Sequence, residues 1–149
     1  MPRAKSKLSY FEAVGRRKTA VCRVRVHLVA GKELVLEGKT YTKGAIMVND
    51  IDAKTYFQGA SSKEGYIVPL TLTKSMERFV ITAYVNGGGK RGQLVAFTLA
   101  LSRALEKADD TARAVLKPAG MLSVDARARQ RRMAGMAGKS RKKRQSPKR

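Results

Sequence analysis

Residues 77–108 read ERFVITAYVNGGGKRGQLVAFTLALSRALEKA, and their reading decides the fold. From Glu77 to Asn86 the residues alternate, with Phe79, Ile81, Ala83 and Val85 on one face and Val80, Thr82 and Tyr84 on the other. Both faces are partly apolar, which predicts a central strand with something packed on each side. Gly87-Gly88-Gly89 then turns the chain, and Gln93 to Ala108 predicts the longest helix. Its Leu94, Phe97, Leu101 and Leu105 recur at helical spacing beside Ala104 and Ala108, and Val95 and Leu99 widen the apolar arc. A strong strand running directly into a strong helix predicts an α+β fold, a mostly antiparallel sheet with helices packed mainly on one face.

Upstream, Thr19 to Leu28 is the clearest strand: Ala20, Cys22, Val24, Val26 and Leu28 face the core, and Thr19, Val21, Arg23, Arg25 and His27 face outward. Cys22 is expected as a small buried apolar residue, and His27 as a surface or RNA-contacting one. Residues 12–17 lead into this strand. Short strands are expected at Glu33–Leu36 and Ala45–Val48, the latter closed by Asn49-Asp50. Asp52 is expected to cap a helical turn reaching Phe57. Residues 59–65 read as a loop, and 66–73 as either a short helix start or an edge segment. Asp109-Asp110 begins a second helix to about Lys117, which Pro118-Ala119-Gly120 stops.

The chain ends differently. Residues 126–149 hold eleven Lys or Arg and no acid, with only alanines, Met133 and Met136 as apolar side chains. No stripe there offsets the entropy of ordering, so an extended or irregular tail is expected, ordered by a polyanion. Taking those eleven from the 32 basic residues leaves 21 against all 11 acids, so residues 1–125 still carry about +10 of the net +21. The division expected is a flexible basic arm over 1–9, an RNA-binding body over 10–125 and the tail over 126–149. A basic body bearing a basic tail points to nucleic acid, held through salt-sensitive phosphate contacts.

One cysteine and one histidine exclude an intramolecular disulfide and supply too few ligands for a Cys/His zinc site. No apolar run approaches the roughly 20 residues that span a bilayer, so a soluble intracellular protein without a membrane partner is expected. Two constellations carry chemistry. Gly15-Arg16-Arg17-Lys18, continued by Arg23 and Arg25, reads as a phosphate-gripping corner. Gly87 to Gln93 exposes backbone amides at a helix start beside Lys90 and Arg91. That loop departs from the phosphate-binding pattern of nucleotide-hydrolysing enzymes, which places Ser or Thr after Gly-Lys, where this chain has Arg91. The acids sit mostly at turns and helix starts, where capping explains them, so neither an enzyme nor a cofactor or small-molecule substrate is expected. A general basic nucleic-acid-binding or RNA-chaperone protein is the alternative reading.

Gly15-Arg16-Arg17-Lys18-Thr19-Ala20, Asn86 to Gln93, Ser102-Arg103-Ala104-Leu105, Leu116-Lys117-Pro118-Ala119-Gly120, Asp125-Ala126-Arg127 and the final Lys148-Arg149 occur in an order that resembles the small-subunit ribosomal protein nine family, bacterial or organellar type. The resemblance implies a structural constituent of the head of the small subunit, in a cytoplasmic bacterial or an organellar ribosome. It implies a body like the second domain of ribosomal protein five. It further implies neighbouring ribosomal proteins and ribosomal RNA as partners, and the basic residues expected to meet that RNA are Arg16, Arg17, Lys18, Arg23, Arg25, Lys90, Arg91, Arg127, Arg129, Arg131, Arg132, Lys139, Arg141, Lys142, Lys143 and Arg144. Lys148 and Arg149 correspond to the tip that touches the anticodon stem-loop of peptidyl-site tRNA. The chain departs from the family pattern where Arg144 to Arg149 lacks an aromatic, where Thr98-Leu99 replaces an Arg-His pair, and over Val29–Lys43, which is longer and is expected to form an extra hairpin.

Overall fold

The computed structural model describes residues 10–29, 31, 33–36, 38–58, 65–136 and 138–141. The segment expected to lead into the first strand is itself a strand. β1 (Tyr10–Arg17) pairs antiparallel with β2 (Ala20–Leu28), Arg17 opposite Ala20 across the two-residue turn Lys18-Thr19. Gly15, on its inward face beside Phe11 and Ala13, adds no apolar side chain to the pattern and hides the strand from a period-two reading. Along β2 the inward residues Ala20, Cys22, Val24 and Val26 are buried as expected, and burial pushes the Cys22 thiol up to about 12. The alternation then fails. His27 and Val29 are buried and Leu28 is 42% exposed.

β3 (Glu33–Leu36) and β4 (Lys39–Thr42) form a separate two-stranded hairpin within the segment expected to hold one. β5 (Ile46–Val48) and β6 (Ile51–Asp52) follow, joined by Asn49 and Asp50 with φ of 49° and 64°. Left-handed backbone at both central positions is what a two-residue hairpin turn of the right twist requires. The Asn49 amide also bonds both ways with the Val85 backbone, accepting at 2.8 Å and donating at 2.9 Å. β7 (Phe79–Asn86) is the strand quoted at the outset, and it is central: the sheet order is β1-β2-β7-β5-β6, antiparallel except for β5 beside β7.

The helices are α1 (Ala53–Tyr56), α2 (Val68–Leu72), α3 (Lys90–Ala108) and α4 (Ala112–Leu116). Asp52 caps α1 by accepting from the Lys54 amide at 2.7 Å. α2 settles the open segment as helical, with Pro69 in its first turn, where a missing N–H breaks no helical bond. α3 begins three residues before the expected start and lies across β1 and β2. Its packed face is turned toward alanines: Ala96, Ala100 and Ala104 are fully buried, whereas Val95 is 47% exposed. Gly15 is the reason for this close fit. A Cβ there would stand 2.1 Å from the Ala96 carbonyl oxygen and 2.7 Å from the Ala100 nitrogen. Phe57, Phe97, Leu101, Leu105 and Leu116 fill the core, each worth about 1.5–3 kcal/mol of transfer free energy. The result is the expected α+β arrangement, a mostly antiparallel sheet with α3 on one face. Beyond α4, the described residues up to 141 form neither helix nor strand.

Candidate nucleic-acid interface

Three chain segments meet at one end of the sheet. The β1–β2 turn carries Arg16, Arg17 and Lys18, and the glycine turn before α3 packs onto it. A Cβ on Gly87 would stand 2.5 Å from the Thr19 carbonyl oxygen, and one on Gly88 would stand 3.0 Å from the Ala20 Cβ. With φ of 72° and 66°, these two glycines serve a left-handed turn pressed against a neighbouring backbone. The third segment is the root of the tail. Arg17 donates to the backbone carbonyls of Arg127 at 2.7 Å and Asp125 at 3.4 Å, and pairs with the Asp125 carboxylate at 3.0 Å.

The cations at this end are in different states. Arg16 and Lys18 are exposed and, among the described residues, form no ion pair or side-chain hydrogen bond. Arg17 is committed to the tail root. Lys90 lies 3.5 Å from the centroid of the Tyr56 ring, a cation–π contact, while the Tyr56 hydroxyl donates to Gln93 at 3.0 Å and Gln93 donates to the Gly87 carbonyl at 3.1 Å. Arg91 is exposed at the helix start. Arg127 is held by the Asp125 carboxylate, whose pKa sits well below the usual carboxylate range, chiefly through hydrogen bonds from the Arg127 side chain and backbone and then through the charges of Arg127 and Arg17. Arg129, Arg131, Arg132, Lys139 and Arg141 are exposed along the tail. Lys142, Lys143, Arg144, Lys148 and Arg149 lie outside the described residues, as does the 1–9 arm.

Arg23 and Arg25 project from the opposite face of the sheet to α3, away from that end. Arg25 pairs with Glu12 at 2.7 Å and its guanidinium lies 5.0 Å from the Tyr10 ring centroid. His27, expected at the surface, is buried between them and β7, with its Nε2 and the Thr82 hydroxyl 3.1 Å apart. Burial first, and then the Arg25 charge, lower its pKa. Period two put its ring outside correctly, but the outer face is itself covered at that point by Tyr10, 5.6 Å between ring centroids.

Two basic residues of α3, neither of them expected as a site residue, serve the fold. Arg103 donates to the Val14 carbonyl at 2.9 Å and Lys107 to the Glu12 carbonyl at 2.7 Å. They occupy the free carbonyls of the edge strand β1, which otherwise invites pairing with another chain. The prior signals were their spacing of four on the α3 surface and the place of Arg103 in the Ser102-Arg103-Ala104-Leu105 motif. No group of His, Cys, Asp and Glu among the described residues is arranged to hold a metal.

The family model for ribosomal protein S9/S16 matches residues 15–149, from the glycine beneath α3 to the last residue. The chain belongs to the ribosomal protein S9/S16 family. It is 39% identical over 138 residues to the small ribosomal subunit protein uS9 of Chlorobium phaeobacteroides, covering 93% of this chain and 96% of that one. It is 38% identical over 124 residues to the uS9 protein of Chlorobium phaeovibrioides, covering 83% and 86%. As a member of the S9/S16 family it is a structural ribosomal protein and no enzyme. The β1–β2 turn, the glycine turn and the tail root all fall inside the matched residues.

Proposed function

We propose that this S9/S16-family chain is a constituent of the small ribosomal subunit of a bacterium, working in the cytoplasm. Its body docks on ribosomal RNA of the subunit head, beside other ribosomal proteins, and its tail continues along RNA to the peptidyl-site tRNA. The observation that carries this reading is the meeting of the β1–β2 turn, the start of α3 and the tail root, where Arg16 and Lys18 face solvent without a counter-ion among the described residues. An end of the molecule built from mutually braced backbone and uncompensated cations suits a rigid phosphate surface. Arg91 and the exposed tail cations through Arg141, followed by Lys142, Lys143 and Arg144, extend the same contact, while Arg23 and Arg25 offer a second one on the outer sheet face. Lys148 and Arg149 are assigned to the anticodon stem-loop.

Cosedimentation decides the main point: the tagged chain is expected with the small subunit at physiological salt, and recovery in the free pool or with DNA would sink it. Replacing Lys148 and Arg149 by alanine is expected to weaken peptidyl-site tRNA binding modestly with assembly intact. Unchanged tRNA affinity with altered assembly would move those residues to a different role.

A further inference from the structure

We propose that the cleft between the outer face of the sheet and the β3–β4 hairpin takes one unpaired RNA nucleotide, its base against Tyr84 and its phosphate toward Arg23. This deepens the function proposed above and rests on it, because it names a subsite for the RNA that function requires.

The cleft measures about 290 Å³, and Tyr10, Arg23, His27, Tyr41 and Tyr84 are among its walls. That lies at the small end of ligand sites, which run from roughly 300 to 1,000 Å³, and suits a single base with its sugar. A paired helix is far too wide. Tyr84 is 60% exposed on the central strand and offers an open ring face. Arg23 is its direct partner across β2 and β7, and among the described residues it has no ion pair or side-chain hydrogen bond. Asp50, the acid that lines the cleft among the described residues, is matched by Lys39 at 2.9 Å. Arg23 therefore supplies the charge left over for an anion.

An open aromatic face directly across from a guanidinium is the pairing by which proteins hold splayed-out bases and the phosphates that carry them.

The full chain is titrated with a single-stranded oligouridylate and with an RNA duplex of equal phosphate number, at about 0.3 M salt, where attraction to the tail is largely screened. Tyr84→Ala is expected to weaken the single strand about tenfold and to leave the duplex unchanged within about twofold, and Tyr84→Phe, which keeps the ring, to restore the single strand. An equal loss on both probes, or none on the single strand, overturns the proposal. So does a Tyr84→Ala subunit that keeps its RNA contacts and loses a neighbouring protein instead. Failure of the parent reading has a separate sign, the absence of the unaltered chain from small subunits.

Discussion

Arg17 and Asp125, 108 positions apart, are joined by a 3.0 Å ion pair that fastens the root of the tail to the tip of the β1–β2 hairpin. Only 15% of the Arg17 side chain is exposed, and its two further bonds reach backbone carbonyls rather than solvent. A guanidinium can bridge in this way because its donors form a planar fork. The pair sets where the basic tail leaves the body.

From this follows an expectation for the free protein. Arg17→Ala removes three interactions at the tail root, so amide hydrogen exchange over 123–128 is expected to speed up several-fold, while exchange in β7 stays slow. Arg16→Ala, at an exposed neighbour, is expected to leave both unchanged. Equal exchange in the two variants would mean that the clamp does not hold in solution.

Two glycines provide a second, sharper contrast. Gly15→Ala drives a methyl group into the backbone of α3, at 2.1 Å from the Ala96 oxygen, and neither backbone can yield locally. The expected cost is about 3 kcal/mol or more, read as a lower midpoint in urea. Gly89→Ala is expected to be nearly neutral, because Gly89 has extended backbone with φ of −111° and nothing lies within 4 Å of its new Cβ. Similar midpoints for the two variants would contradict the packing of α3 on β1.

His27 makes stability depend on pH in a defined direction. Its folded pKa lies below the ordinary value of 6.5, because burial and the nearby Arg25 disfavour the charged ring. The unfolded chain then binds the proton more readily, so stability is full above about 6.5 and falls as pH drops through that value toward the folded pKa. Melting temperature is expected to fall between pH 7.5 and 5.5, and His27→Gln is expected to flatten that fall. A His27→Gln protein with the same slope would place the titration elsewhere.

The sequence carried the inner face of the fold better than its outer one. The period of two at Phe79, Ile81, Ala83 and Val85 and the period near 3.6 at Leu94, Phe97, Leu101 and Leu105 each report burial against one partner, and those residues are buried. β1 was hidden because its fit to α3 depends on a missing side chain, Gly15, which no hydrophobic pattern registers. His27 was misjudged because alternation tells which face a residue occupies and not whether a distant ring, here Tyr10, closes that face. For the candidate interface, charge density marked Arg16, Arg17 and Lys18 as one cluster. It could not separate Arg17 from its neighbours, since the acid that claims it lies beyond α4.

That separation yields the last prediction. If Arg16 and Lys18 meet phosphates while Arg17 holds the tail, the three residues differ in what their removal does to RNA binding. Each lost phosphate contact lowers the steepness of log affinity against log salt by about 0.7–0.9. The double variant Arg16→Ala/Lys18→Ala is expected to reduce the slope for binding to head ribosomal RNA by about 1.4–1.8 at unchanged thermal stability. Arg17→Ala is expected to leave the slope nearly unaltered and to lower stability and order at the tail root instead, because its charge is already spent on Asp125 and on two carbonyls. Equal slope changes from all three residues would mean that Arg17 leaves Asp125 when RNA arrives, and the hairpin tip would then act as one three-charge grip.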